Sequence, residues 1–96
     1  MKVELSDEAL AQVNEIDEWW RLNRPKAPDL FTRELEKTLA ALESTPTLGV
    51  PYDAGSKTVR RLLLHRTHYH LYFAEQGDAL VVIAVWNAFR GSGPRL

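Results

Sequence analysis

The chain reads as a small α+β domain of order β-α-α-β-β-β, with a helical hairpin packed on one face of a four-stranded, mainly antiparallel sheet. Three observations predict this. Apolar residues recur at helical spacing in two runs before residue 44. From Thr58 onward the period changes to that of strands, in three runs. The turn-rich stretch between them, residues 44–57, is too short to separate two domains, so residues 1–96 form one domain.

Lys2–Leu5 reads as a short strand. Ser6 or Asp7 then caps a helix with acids in its first turn. The stripe Leu10, Val13, Ile16, Trp20 gives that helix an apolar face, and it ends near Leu22–Asn23. NRPKAPD turns the chain, and a second helix runs to about Glu43 on the stripe Phe31, Leu35, Leu39, Leu42. Residues 44–57, STPTLGVPYDAGSK, hold two prolines and two glycines and read as a crossing loop. TVRRLLL, HYHLYFA and ALVVIAVW are the three later strands. They are divided near His65–Thr67 and at EQGD, residues 75–78, where Gln76-Gly77 or Gly77-Asp78 supplies a tight hairpin. Leu80–Trp86 is continuously apolar, as a strand buried on both faces should be. The tail, NAFRGSGPRL, reads as mobile. Both helices need cover for their stripes and so share one sheet face. The other face is left open, and function is expected there.

Composition narrows the chemistry. The chain has no cysteine, which excludes a thiolate nucleophile and a cysteine-based zinc site. No apolar run approaches the ~18 residues of a membrane helix, and MKVELSDEAL lacks a signal-peptide pattern, so a cytoplasmic protein with no membrane partner is expected. The net charge of −1 conceals a split: residues 1–57 carry net −4 and residues 58–96 net +3, with every cation in the second part an arginine. An acidic back and a basic working face would produce it, with arginine suited to planar contact with phosphate or carboxylate.

All three histidines fall in HRTHYHLYF, residues 65–73. On a strand, His68, His70 and Tyr72 share one face and the more apolar Tyr69, Leu71 and Phe73 the other, which should meet the helices. Two histidines are too few for a zinc site, and no metal or other cofactor is expected. Acid–base chemistry by His70 beside arginines is open to this sequence, as is a polar binding face. Arg60 and Arg61 must point to opposite faces, so only one looks onto the open side. Trp20 belongs to the helix stripe, with Trp19 beside it. Arg90 and Arg95 place two cations on the tail without an acid. No nucleophile motif, phosphate-binding glycine loop or paired-carboxylate spacing occurs. The target-binding candidates are therefore Arg60 and Arg61, of which one faces the open side, with His68, His70, Tyr72, Arg90 and Arg95.

The element order, the run VRRLLLHRTHYHLYF, then ALVVIAVW, and an Arg-Gly tail resemble the RelE/ParE superfamily of bacterial type II toxins. RPKAPDLF at the second helix and PTLGVPY after it are similar too, and the likeness spans nearly the whole chain. The resemblance implies a toxin silenced by a cognate antitoxin of ParD, RelB or Phd type, whose extended segment wraps the domain. ParE-like members poison DNA gyrase; RelE-like members cleave mRNA at the ribosome with strand cations and an acid–base group from the tail. Arg61 and His70 occupy positions where the RelE-like enzymes tend to be basic, and Arg90 would be the tail's contribution. Leu63 stands where a further lysine is common, no tyrosine follows Tyr72, and Asn87-Ala88-Phe89-Arg90 replaces the more frequent His-Gly-Arg-Arg. The resemblance thus implies a ParE-like gyrase inhibitor acting by binding. The alternatives are an mRNA endonuclease using Arg61, His70 and Arg90, and a non-toxic module that only binds antitoxin.

Overall fold

Ser6 opens the first helix as an N-cap: its hydroxyl accepts from the Ala9 amide at 3.1 Å, with Asp7 and Glu8 in the first turn. The computed structural model describes residues 1–55 and 57–96. The order is β1 (Lys2–Leu5), α1 (Asp7–Asn23), α2 (Leu30–Ser44), β2 (Val50–Ala54), β3 (Lys57–Leu64), β4 (Tyr69–Gln76) and β5 (Ala79–Asn87). The sheet order is β1-β5-β4-β3-β2, antiparallel throughout except that β1 runs parallel to β5.

The sheet has five strands, one more than expected. The additional strand, β2, lies inside the stretch read as a crossing loop; Ser56 of that stretch lies outside the described residues. Pro51 is tolerated because β2 pairs on one side only, with β3. Gly49 precedes it with φ +93°.

One core lies between the helices and the sheet. Phe31 and Leu42 of α2 meet Leu64, Leu71, Phe73, Leu80, Val82 and Val85, all fully buried. Each such side chain contributes roughly 1.5–3 kcal/mol of apolar burial. The stripe of α1 is Ala9, Val13, Ile16, Trp20; Leu10 is 50% exposed. Small Ala9 lets the helix approach the sheet one position earlier than the larger Leu10 suggested. Trp20 completes the core by donating its indole N–H to the Tyr69 hydroxyl at 3.3 Å.

Val82 and Phe73 are opposite each other, as are Ala84 and Tyr72, which leaves Ile83 as an extra residue on β5. This bulge lets Val82 face the helices while Ala84 faces away, which strict alternation forbids. Of Leu80–Trp86, expected to be buried on both faces, Ile83 and Trp86 are half-buried and the others buried. Gly77, φ +63°, turns the β4–β5 hairpin.

Glu34 of α2 fastens the β3–β4 turn. Its carboxylate accepts from the Arg66 amide at 2.8 Å and from the Thr67 amide and hydroxyl at 3.0 and 2.7 Å. Burial pushes the carboxyl pKa up, but these hydrogen bonds and the Arg66 charge outweigh it, and the group lies below its ordinary 4.5. A depressed carboxyl pKa adds stability that is present above the unfolded-state value and lost as pH falls through the folded one. Glu34→Gln should cost about 1–2 kcal/mol at pH 7, allowing for solvent screening, and flatten the acid limb of stability against pH. Urea unfolding at pH 7 and below pH 4.5 checks this; a parallel offset at both would refute it.

Candidate functional site

The sheet face turned away from the helices is not bare. Val59, Tyr72 and Ala84 are buried there, with Tyr52, Ala54, Ile83, Trp86 and Leu96 packed around them. The tail, expected to be mobile, crosses this face. Asn87 starts the reversal: its side-chain Oδ1 accepts from the Phe89 amide at 2.8 Å and its carbonyl from the Arg90 amide at 3.2 Å. The Trp86 indole then donates to the Ser92 carbonyl at 2.7 Å, and Leu96 joins the apolar cluster. The tail lies against this face because the surface beneath it is aromatic and apolar, which a reading of the tail's own polar composition cannot reveal.

Strand register builds the site beneath. Trp86 is opposite His70, and His70 is opposite Leu63; one step along, Ala84 is opposite Tyr72, and Tyr72 is opposite Arg61. Tyr52 enters from β2, its ring edge-on to Tyr72 at 4.8 Å. The Arg61 guanidinium lies over the Tyr52 ring at 5.3 Å and that of Arg90 over the Trp86 ring at 4.5 Å. A cavity of about 180 Å³ is lined by Tyr52, Arg61, His70, Tyr72, Trp86 and Arg90, with tail residues Gly91–Gly93 along one side. Burial, and secondly the Arg61 charge, hold the His70 imidazole below its ordinary pKa of 6.5, so it is neutral at pH 7. Two guanidinium groups, aromatic walls and a neutral imidazole suit a planar or anionic group. The imidazole is also in the form that accepts a proton.

Of the seven target-binding candidates, Arg61, His70, Tyr72 and Arg90 converge. Arg60 lies on the helix side, where its guanidinium is over the Phe73 ring at 5.2 Å and donates to the Pro46 carbonyl. The alternation of β3 forces this once Arg61 faces the cavity. His68 is not on β4: it ends the preceding turn with φ +63°, its amide donating to the Leu64 carbonyl at 2.8 Å. Its exposed ring stacks near Phe89 at 4.8 Å between centroids. Arg95 lines a separate cavity of about 420 Å³ beside Glu8 and Glu75. Among the described residues no three metal-ligating side chains converge, and no helix is long and apolar enough to cross a membrane.

Sequence reasoning missed Tyr52, Trp86 and Asn87 as cavity residues. For Tyr52 a signal existed: Val50, Tyr52 and Ala54 alternate with Pro51 and Asp53, the period of a strand.

The two-helix layer on one face of a mainly antiparallel sheet is the fold of solved ParE and RelE toxins. A chromosomal ParDE toxin–antitoxin system of P. aeruginosa superposes with TM-score 0.73 and 17% identity, covering 91% of this chain and 95% of that one. The isolated E. coli RelE toxin superposes with TM-score 0.60 and 18% identity, covering 94% of this chain and 86% of that one. No curated protein sequence matches significantly. The ParE toxin family of the type II toxin–antitoxin system parDE matches residues 3–90, and the chain belongs to that family.

Proposed function

We propose that this protein inhibits DNA gyrase by binding it, through the face that carries Arg61, His70, Tyr72 and Arg90, and that a cognate antitoxin neutralises it. The match to the ParE toxins over residues 3–90 carries this reading. The site supports contact with a macromolecule, since two guanidinium groups and three aromatic side chains share one sheet face.

The convergence of Arg61, His70 and Arg90 on that cavity favours a second reading, mRNA cleavage at the ribosome. Neutral His70 would accept the 2′-hydroxyl proton and the arginines would meet the phosphate charge. The family match is to the ParE toxins, which is why this reading ranks below the first.

Purified protein added to gyrase supercoiling reactions and to a translating extract decides between them. Inhibited supercoiling with intact mRNA is expected, relieved by the antitoxin. Codon-positioned mRNA cleavage that disappears in His70→Ala would reverse the ranking, and no effect in either reaction would leave an antitoxin-binding module.

A further inference from the structure

Residues 91–96 have the geometry of a removable cover. They form no strand, and among the described residues a single hydrogen bond, from the Trp86 indole to the Ser92 carbonyl at 2.7 Å, ties them to the sheet. Gly91, Ser92, Gly93 and Arg95 are exposed on their outer side, while Pro94 and Leu96 are half-buried. Few buried contacts and one hydrogen bond place a segment at the low end of local stability. The segment nonetheless lies along one side of the cavity, where Gly91–Gly93 line it. A Cβ placed on Gly93 would be 2.6 Å from the Tyr52 hydroxyl and 3.8 Å from that of Tyr72, so the backbone lies directly on the two tyrosines. Leu96 is set in the apolar cluster of Val59, Tyr72 and Ala84. Arg90, by contrast, is held at the root of the tail by the Asn87 turn and the Trp86 ring. The tail thus divides into a fixed half that supplies a cation and a loosely held half that lies over Tyr52 and Tyr72.

We propose that Gly91–Leu96 is an autoinhibitory strap, which masks the Arg61–His70–Tyr72 face in the free protein and must lift before a macromolecule can dock there. A side chain at Gly93 would press on the Tyr52 hydroxyl and so favours lifting, and Leu96 is the anchor. Masking is a property of the chain whatever the target; only the activity arm of the test rests on the proposed function.

The accessibility of His70 reads the strap directly. Wild type, a chain ending at Arg90, Gly93→Val and Leu96→Asp are treated with diethylpyrocarbonate, and modification is followed by peptide mass spectrometry. His65, exposed in the β3–β4 turn, is the internal control. His70 is half-buried with the strap in place, so lifting the strap should accelerate its modification by about two- to threefold in all three variants while His65 is unchanged. Unchanged His70 rates would overturn the proposal. So would loss of cooperative melting in the chain ending at Arg90, since a detachable cover cannot be required for folding. The same proteins are then titrated into gyrase supercoiling reactions, where the shortened chain should inhibit at lower concentration. Faster His70 modification with no inhibition by any of the proteins would keep the strap and remove the gyrase reading.

Discussion

Gly49→Ala is expected to lower the midpoint of thermal unfolding by about 10–20 °C. Two costs combine. Gly49 has φ +93°, a region where a side chain costs about 1–2 kcal/mol. The new methyl would also lie 2.9 Å from Cζ of Phe73 and 3.0 Å from the Arg61 carbonyl oxygen. Neither yields readily: Phe73 is fully buried beneath the Arg60 guanidinium, and the Arg61 backbone is paired between β2 and β4. Overpacking of that kind costs roughly 1–3 kcal/mol. Gly77→Ala is the control, because Gly77 has φ +63° but nothing within 4 Å of its added methyl. Its melting shift should reflect the backbone cost alone, and the difference between the two variants isolates the crowding. Equal shifts would mean that the chain before β2 moves freely, and that Tyr52, which β2 carries into the site, is not rigidly placed.

Much of the fold is legible in the sequence because it rests on periodicity. The faces of β4 follow from alternation: Tyr69, Leu71 and Phe73 toward the helices, His70 and Tyr72 away. Three things were less legible, each for a local reason. VPYDA is a five-residue strand whose proline and flanking glycines dominate its composition, so its alternation is easily passed over. His68 continues the apparent strand pattern of β4, yet the turn takes it into the left-handed region that histidine adopts more readily than most residues. The position of the tail depends on the surface it meets, an aromatic face assembled from β2, β4 and β5, and no property of NAFRGSGPRL by itself encodes that surface. The candidate site was accordingly half visible: its strand residues were identified, while Tyr52 and the covering segment came only with the tertiary structure.

Arg60 and Arg61, adjacent in sequence, should give opposite results when replaced by alanine. Arg61 and Arg90 line the cavity, each over an aromatic ring and neither in an ion pair among the described residues. A charge-assisted contact from either to a target carboxylate or phosphate is worth roughly 1.5–3 kcal/mol, so each replacement should weaken the target complex by about tenfold to a hundredfold. Because the two share one cavity, the double variant should lose less than the sum of the single losses. Their melting temperatures should change little, as Arg90 is exposed and Arg61 only half-buried. Arg60 works for the fold: it closes the α2–β2 connection through the Pro46 carbonyl and covers Phe73. Arg60→Ala should cost about 1–2 kcal/mol of stability, seen as a lower urea midpoint, and leave target affinity nearly intact. Growth arrest, supercoiling inhibition and urea unfolding of the three variants together separate the roles. If Arg61→Ala and Arg90→Ala arrest growth as wild type does, the target is not met on the sheet face. It must then be met on the helical hairpin, where Trp19 and Leu22 are 44% and 75% exposed.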